Sequence, residues 1–205
     1  MTYADIADMP LGLPVWNKVQ RIPFPTAAAS EVELVADEGH FQRVVLKGML
    51  AATVSIDIAT ADFKAMLVPR EGRRRAPSIV ELFRKLAEVG VEIRLLHAGT
   101  PSESALRELK RALPERLTIR RCPRLHAKAV VVDCRAMYLG SANLTGAGLG
   151  AKADGRRNFE LGIWTSAPAL IDGVLEHFNA LWEGRKCVSC RRKDVCPVPL
   201  EEPEL

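Results

Sequence analysis

Residues 124–133 of the chain read RLHAKAVVVD. The second half of this stretch, residues 129–132, is apolar and rich in β-branched valine, which predicts a buried strand. Side chains two residues apart on a strand share a face, so His126 and Lys128 can reach one anion. An imidazole can attack phosphorus or transfer a proton near neutral pH, and an ammonium group neutralises charge on phosphate oxygens. The stretch therefore predicts phosphate chemistry on a rigid strand.

Two further strand-like runs bring polar side chains toward the same edge. The first leads into Ser141 and Asn143, whose hydroxyl and amide groups are neutral hydrogen-bond donors. The second carries Glu160, which can accept a hydrogen bond from an imidazole nitrogen and set its tautomer. Asp133 is an odd number of residues from His126, so on a regular strand its side chain would point to the opposite face. This predicts that Asp133 holds the turn or binds a nearby donor and does not transfer a proton.

The complete pattern is H-x-K-x4-D-x6-G-S-x-N with a glutamate downstream. It resembles the signature of the phospholipase D superfamily at His126, Lys128, Asp133, Gly140, Ser141, Asn143 and Glu160. The surrounding pattern, from about residue 38 to residue 182, is similar to one repeat of that fold. The resemblance implies an α/β domain with a mixed central sheet flanked by helices. It also implies a catalytic set comprising His126, Lys128, Asp133, Ser141, Asn143 and Glu160.

The H-x-K motif occurs once in this sequence. Enzymes of the superfamily place two such motifs around one site, where one histidine attacks phosphorus and the other protonates the leaving oxygen. The resemblance therefore implies a homodimer whose two-fold axis passes through a shared active site. Two symmetry-related imidazoles can act as nucleophile and general acid, so we expect no cofactor for catalysis.

Length and composition indicate one globular catalytic domain. The chain has 205 residues, of which 48% are hydrophobic and 26% are charged. We predict an N-terminal arm at residues 1–36, a catalytic domain at 37–184 and a cysteine-rich basic tail at 185–205. A net charge of +4 suits a polyanionic partner, although an ordinary solvated surface explains it as well. No signal-like segment or long apolar run is evident, which predicts a cytoplasmic protein that does not enter a membrane.

Periodicity and turn residues predict the remaining elements. Helices are expected at 38–51, 77–88, 102–113 and 167–182, and strands at 53–59, 91–96 and 116–121. The loop at residues 70–75 contains four arginines and is either a contact to phosphate backbones or a solvated loop. The glycine-rich loop at 146–155 follows Asn143 and is a candidate for contact with substrate.

Three thiols in the tail have the spacing C-x2-C-x5-C, at Cys187, Cys190 and Cys196. A tight turn lets two thiolates at C-x2-C spacing face one metal, either zinc or an iron-sulfur cluster. Cys122 and Cys134 are possible fourth ligands. The tail resembles the terminal cysteine staple of CRISPR-associated and recombination-type nucleases that carry a four-iron cluster, although no other part of the chain resembles them. Reduced thiols without metal are the alternative, and disulfides are not expected in a cytoplasmic chain.

The sequence thus favours a metal-independent nuclease that acts on DNA or RNA through a phosphohistidine intermediate. The net positive charge, the arginine loop and the basic tail favour nucleic acid over lipid as the substrate. One alternative is a phospholipase D-type lipid hydrolase or phosphatidyltransferase, which is disfavoured because no amphipathic membrane-binding helix is evident. Another is a nucleic-acid-binding subunit of a defence or repair complex.

Overall fold

The computed structural model of the chain describes residues 32–69, 75–109, 114–192 and 196. Its strands are β1 (Val32–Ala36), β2 (Ser55–Thr60), β3 (Glu92–His97), β4 (Leu117–Arg121), β5 (Ala129–Val132), β6 (Ala136–Gly140) and β7 (Leu161–Thr165). They form one sheet in the order β1-β7-β6-β5-β2-β3-β4. Strands β2, β3 and β4 are parallel, and the other pairings are antiparallel. The predicted mixed sheet is confirmed.

Helices cover both faces of this sheet, as predicted. They are α1 (Ile79–Glu88), α2 (Glu103–Leu109) and α3 (Pro168–Trp182). The larger core lies between one face of the sheet and α1, α2 and the turns near residues 41–51. On the opposite face, α3 packs over β5 and its neighbours through Ile171, Phe178 and Trp182. None of the helices in the described part of the chain combines the length and apolar composition needed to cross a bilayer.

Local signals place the first helix where the sequence predicts it. The side chain of Ser78 accepts a hydrogen bond from the backbone nitrogen of Glu81 at 3.0 Å, which satisfies one free donor at the start of α1. Gly90 follows the helix with a φ of 103°, a conformation that glycine adopts without strain. Capping chemistry therefore fixes both ends of α1.

The region before β2 differs from the prediction. In place of a helix over residues 38–51, a π-helical turn (Phe41–Leu46) is followed by a short 3-10 turn (Met49–Ala51). Gly48 separates them, and a side chain there would meet the carbonyl oxygen of Val44 at 2.5 Å and the ring of Trp164 at 2.7 Å. Packing of the indole from β7 against this turn overrides the local helical pattern.

Two boundaries also shift. Residues 32–36, assigned to the arm by the sequence, form the edge strand β1 and pair with β7. Strand β5 begins at Ala129, so the segment containing His126 lies just before the strand and not within it. Residues 1–31 of the arm, residues 70–74 of the arginine loop, and residues 193–195 and 197–205 of the tail lie outside the described residues.

A buried histidine makes stability depend on pH. His97 is fully buried, and its Nδ1 donates to the carbonyl of Gly99 at 2.7 Å, while Nε2 has no hydrogen-bond partner among the described residues. Burial lowers the pKa of His97, and the charge of Arg121 lowers it further. The unfolded chain therefore binds the proton first, so the contribution of a neutral His97 is present above the ordinary pKa of histidine and is lost as pH falls.

We expect the free energy of unfolding to fall between pH 7 and pH 5 by up to about 1.4 kcal/mol per pH unit from this group. Urea unfolding of the wild type and of His97→Gln at both pH values measures the effect. The glutamine variant should lose most of the pH dependence, whereas the exposed control His177→Gln should keep it. Equal slopes in the wild type and His97→Gln would assign the pH dependence to other groups.

Candidate active site

The predicted histidine–lysine pair lies at the edge of the sheet where β2 ends and β5 begins. The Nζ atom of Lys128 stands 3.3 Å from each ring nitrogen of His126 and donates to the His126 carbonyl oxygen at 2.7 Å. Although this segment precedes β5, the backbone nitrogen of Gly140 still donates to the carbonyl of Lys128 at 3.2 Å. This bond continues the pairing of β5 with β6 as far as Lys128, and the exposed imidazole of His126 is open to a substrate with an ammonium group beside it.

The adjoining strands bring a carboxylate, a hydroxyl and an amide to the same edge. The Oγ of Ser141 donates to the carboxylate of Glu160, and the side-chain nitrogen of Asn158 donates to the same carboxylate at 3.0 Å. The backbone nitrogen of Leu161 in turn donates to Ser141 Oγ at 3.0 Å. Within one chain, Glu160 is therefore bonded to Ser141 and Asn158, and not to an imidazole as the sequence suggested, because β6 and β7 are neighbours.

Asn143 is fixed by its amide oxygen. That oxygen accepts hydrogen bonds from Thr60 Oγ1 at 3.3 Å and from the backbone nitrogens of Ala61 and Asp62 at 3.1 Å each. Three donors from the end of β2 thus orient the side chain. The amide nitrogen makes no hydrogen bond to the described residues, so it remains as a donor for a ligand.

Asp133 is not brought to this edge. It lies at the opposite end of β5 from His126, with a φ of 53°, and its carboxylate accepts hydrogen bonds from the backbone of Thr53, Val54 and Ser55. Burial acts to raise the pKa of Asp133, but these donors together lower it below its usual value. Its contacts fasten the turn between β5 and β6 to the start of β2.

A buried chain of hydrogen bonds supports the site, and sequence reasoning missed it. The backbone nitrogen of Ala142 donates to the Tyr138 hydroxyl at 3.1 Å, and that hydroxyl lies 2.9 Å from His40 Nε2. The Nδ1 of His40 lies 2.9 Å from the carbonyl of Asp37. A carbonyl can only accept, so Nδ1 carries the proton and the tyrosine donates to Nε2. Burial raises the pKa of Tyr138 to about 12, which keeps this donor protonated.

This series of hydrogen bonds ends on the backbone of Glu160. Asp37 Oδ1 accepts from the backbone nitrogen of Glu160 at 3.0 Å, and the Asp37 nitrogen donates to the Glu160 carbonyl at 3.0 Å. His40 and Tyr138 are 98 residues apart in the sequence, so no local pattern could link them. The one available signal was the pair of glycines at 140 and 162, which leave room for the Tyr138 ring.

A cleft of about 320 Å³ opens beside His126. Its lining includes Arg124, Lys186, Cys122, Cys187 and Cys190. Among the residues that the structure describes, no three histidine, cysteine, aspartate or glutamate side chains are already arranged to hold a metal ion. The cleft is therefore a basic surface next to the imidazole, bordered by thiols from two parts of the chain.

Comparisons with known proteins agree with this fold. The family model described as "Cardiolipin synthase, PLD-like domain" matches residues 45–182. Nuc from Salmonella typhimurium, a phospholipase D family member, is similar with a TM-score of 0.57 and 19% identity, covering 76% of this chain and 95% of its own. NucT from Helicobacter pylori has a TM-score of 0.57 and 14% identity, covering 76% and 97%. No curated protein matches the sequence. The chain belongs to the family of PLD-like domains.

Proposed function

We propose that this chain is a phosphodiesterase that cleaves DNA or RNA backbones without a metal ion, at a site shared by two subunits. The observation that carries the proposal is the meeting of His126 and Lys128 at one sheet edge with Ser141, Asn143 and Glu160. This set supplies a nucleophile, a cation and neutral donors, which are the groups that a phosphodiester transition state requires. Membership in the PLD-like family supports the same class of reaction.

The proposed reaction forms a phosphohistidine in one step and hydrolyses it in a second. In the first, a ring nitrogen of His126 attacks phosphorus, and the bond from phosphorus to the leaving oxygen breaks as His126 of the partner subunit donates a proton to that oxygen. In the second, the partner's imidazole takes a proton from water, which attacks the phosphohistidine and releases the phosphate monoester. Lys128 and the amide nitrogen of Asn143 stabilise the charge that develops on the nonbridging oxygens.

An uncovered part of the sheet supports the shared site. Helix α3 covers only the part of one sheet face that lies near β5. The rest of that face exposes Leu34, Leu139 and Leu161. These side chains share a face because Leu34 and Leu139 both pair with Ile163, and Leu161 lies two residues before it. Phe159, next to Glu160, is 97% exposed. A contiguous apolar surface of this kind is typical of an interface. A second copy bound there would lie directly beside the catalytic edge.

Charge favours nucleic acid over lipid. Arg124 and Lys186 line the cleft that opens at His126, so an extended phosphate backbone can contact them while one phosphate occupies the site. The name of the matching family model includes a lipid enzyme, and for this reason a phospholipid substrate is the alternative that the experiment must address.

The test is cleavage of labelled single-stranded and double-stranded DNA and RNA in EDTA, together with release of headgroup from phosphatidylcholine and phosphatidylglycerol vesicles. We expect cleavage of at least one nucleic acid in EDTA, and no cleavage by His126→Ala. Headgroup release without nucleic-acid cleavage would establish the lipid enzyme instead. Binding of nucleic acid with no turnover on any substrate would make the chain a binding component of a larger assembly.

We expect Glu160→Gln to fold and to lower kcat by about two to four orders of magnitude. Glutamine keeps the size of the side chain, but it removes the charge that accepts the Ser141 and Asn158 hydrogen bonds. Steady-state kinetics beside circular dichroism measures the effect. The control is Glu103→Gln on α2, an exposed glutamate away from the site. A rate within a few-fold of wild type would remove Glu160 from the catalytic set.

A further inference from the structure

Cysteines from two distant parts of the chain meet at the cleft beside His126. Cys122 follows β4, and Cys187 and Cys190 follow α3, yet all three line the same cleft. Cys196 follows Cys190 at the C-x5-C spacing, and its sulfur is close enough to Cys187 to act on it electrostatically. Cys134 is exposed in the turn between β5 and β6, at the other end of β5.

The backbone around these cysteines has the form of a chelating turn. The backbone nitrogen of Cys190 donates to the carbonyl of Cys187 at 3.0 Å, which closes the C-x2-C turn. The backbone nitrogen of Cys187 in turn donates to the carbonyl of Gly184 at 2.8 Å. On the other side, the nitrogen of Leu125 donates to the carbonyl of Cys122 at 2.9 Å. Two closed turns therefore present their thiols to one cleft, which is how thiolate ligands are arranged around zinc and iron-sulfur centres.

We infer that Cys122, Cys187, Cys190 and Cys196 are the four thiolate ligands of a thiophilic metal centre, either a zinc ion or an iron-sulfur cluster. In the part of the chain that the structure describes, Cys122, Cys187 and Cys190 line the cleft, but no three thiols there are already arranged around a common point. Metal binding would draw the surface turn at 187–190, where Val188 is 85% exposed, toward Cys122. The assignment chooses Cys122 over Cys134 as the fourth ligand.

Arg124 suits the surroundings of such a centre. It lines the cleft together with Cys122, Cys187 and Cys190, and its guanidinium is close enough to these sulfurs to interact with them electrostatically. Four thiolates around a divalent ion carry a net charge of about −2, and a cation beside them offsets part of that charge. Because Arg124 and His126 belong to one short segment, the centre would also tie the tail to the segment that carries the nucleophile.

Metal content and stability test the assignment on the full chain. The protein is purified anaerobically, analysed for zinc and iron, and examined for visible absorption, which an iron-sulfur cluster gives and zinc does not. We expect stoichiometric zinc, or iron with visible absorption, in the wild type and in the control Cys134→Ser. Cys122→Ser and Cys190→Ser should lose most of the metal and lower Tm by about 5 to 10 °C. Wild-type protein with neither metal would overturn the inference.

Alkylation of the native wild type makes the test independent of whether the variants fold. Iodoacetamide labelling followed by mass spectrometry is compared with and without a strong chelator. We expect Cys134 to react rapidly under both conditions, and the four proposed ligands to react only after chelation. Equal labelling of all five cysteines before chelation would overturn the inference, as would protection that includes Cys134 but not Cys122. Neither readout depends on the proposed phosphodiesterase activity.

Discussion

Replacing His126 with alanine should lower the rate of phosphodiester cleavage by at least about 10⁴-fold, because the substitution removes both imidazoles of the proposed shared site at once. The neighbouring donors remain, so binding of nucleic acid should persist. Cleavage in EDTA and a filter-binding assay on the same preparations separate the two effects. A His126→Ala protein that retains more than about one-hundredth of wild-type activity would assign the nucleophile to another residue.

Mixed dimers distinguish a shared site from two independent sites. After random exchange of equal amounts of wild-type and His126→Ala subunits, about one quarter of the dimers carry two wild-type chains. A dimer with one imidazole has no group to protonate the leaving oxygen, so we expect about one quarter of the wild-type activity. Independent sites would give about one half. The same mixture made with Glu103→Gln serves as the control and should keep full activity.

Gly140→Ala should lower the free energy of unfolding by about 2 to 4 kcal/mol. A side chain at this position would lie 2.6 Å from the Cα of Gly162 and 2.7 Å from the carbonyl oxygen of Leu161, and it would strike the Tyr138 hydroxyl. The backbone of β7 must move to accommodate it. Because Ser141 follows Gly140 directly and Glu160 immediately precedes β7, activity should fall as well.

Urea unfolding measures this loss against Gly155→Ala, where an added side chain meets no atom within 4 Å. That control should change the free energy of unfolding by less than about 0.5 kcal/mol. Combining Gly140→Ala with Tyr138→Phe removes the hydroxyl but leaves both contacts with the β7 backbone, so it should restore little stability. Equal stability of the Gly140 and Gly155 variants would mean that β6 and β7 are less closely packed than described.

The sequence was informative wherever the deciding geometry is local. Alternation along an extended segment places His126 and Lys128 on one side, and the capping residues Ser78 and Gly90 mark the ends of α1. These patterns span only a few residues, so they can be read without knowledge of the fold. The order of helices and strands from β2 to α3 follows from the same kind of signal.

Contacts between distant segments could not be read in this way. Asp37 binds the backbone of Glu160 across 123 residues, and His40 meets Tyr138 across 98. The sequence predicts an imidazole as the donor to Glu160, whereas its donors within one chain are Ser141 and Asn158, because the partners depend on which strands are neighbours in the sheet. The edge strand β1 escaped prediction because five residues carry too short an alternation to stand out from the arm.

The pairing of β1 with β7 also determines at which stage of folding the site is completed. Segments this far apart must overcome a large loss of chain entropy before their contacts are made, and such contacts tend to form after local ones. Helix α1 and the parallel strands β2, β3 and β4 can assemble without β1, whereas Glu160 acquires its anchor on Asp37 only when β1 arrives. Formation of the proposed site is thus tied to completion of the fold, and a partly folded chain would position His126 before it positions Glu160.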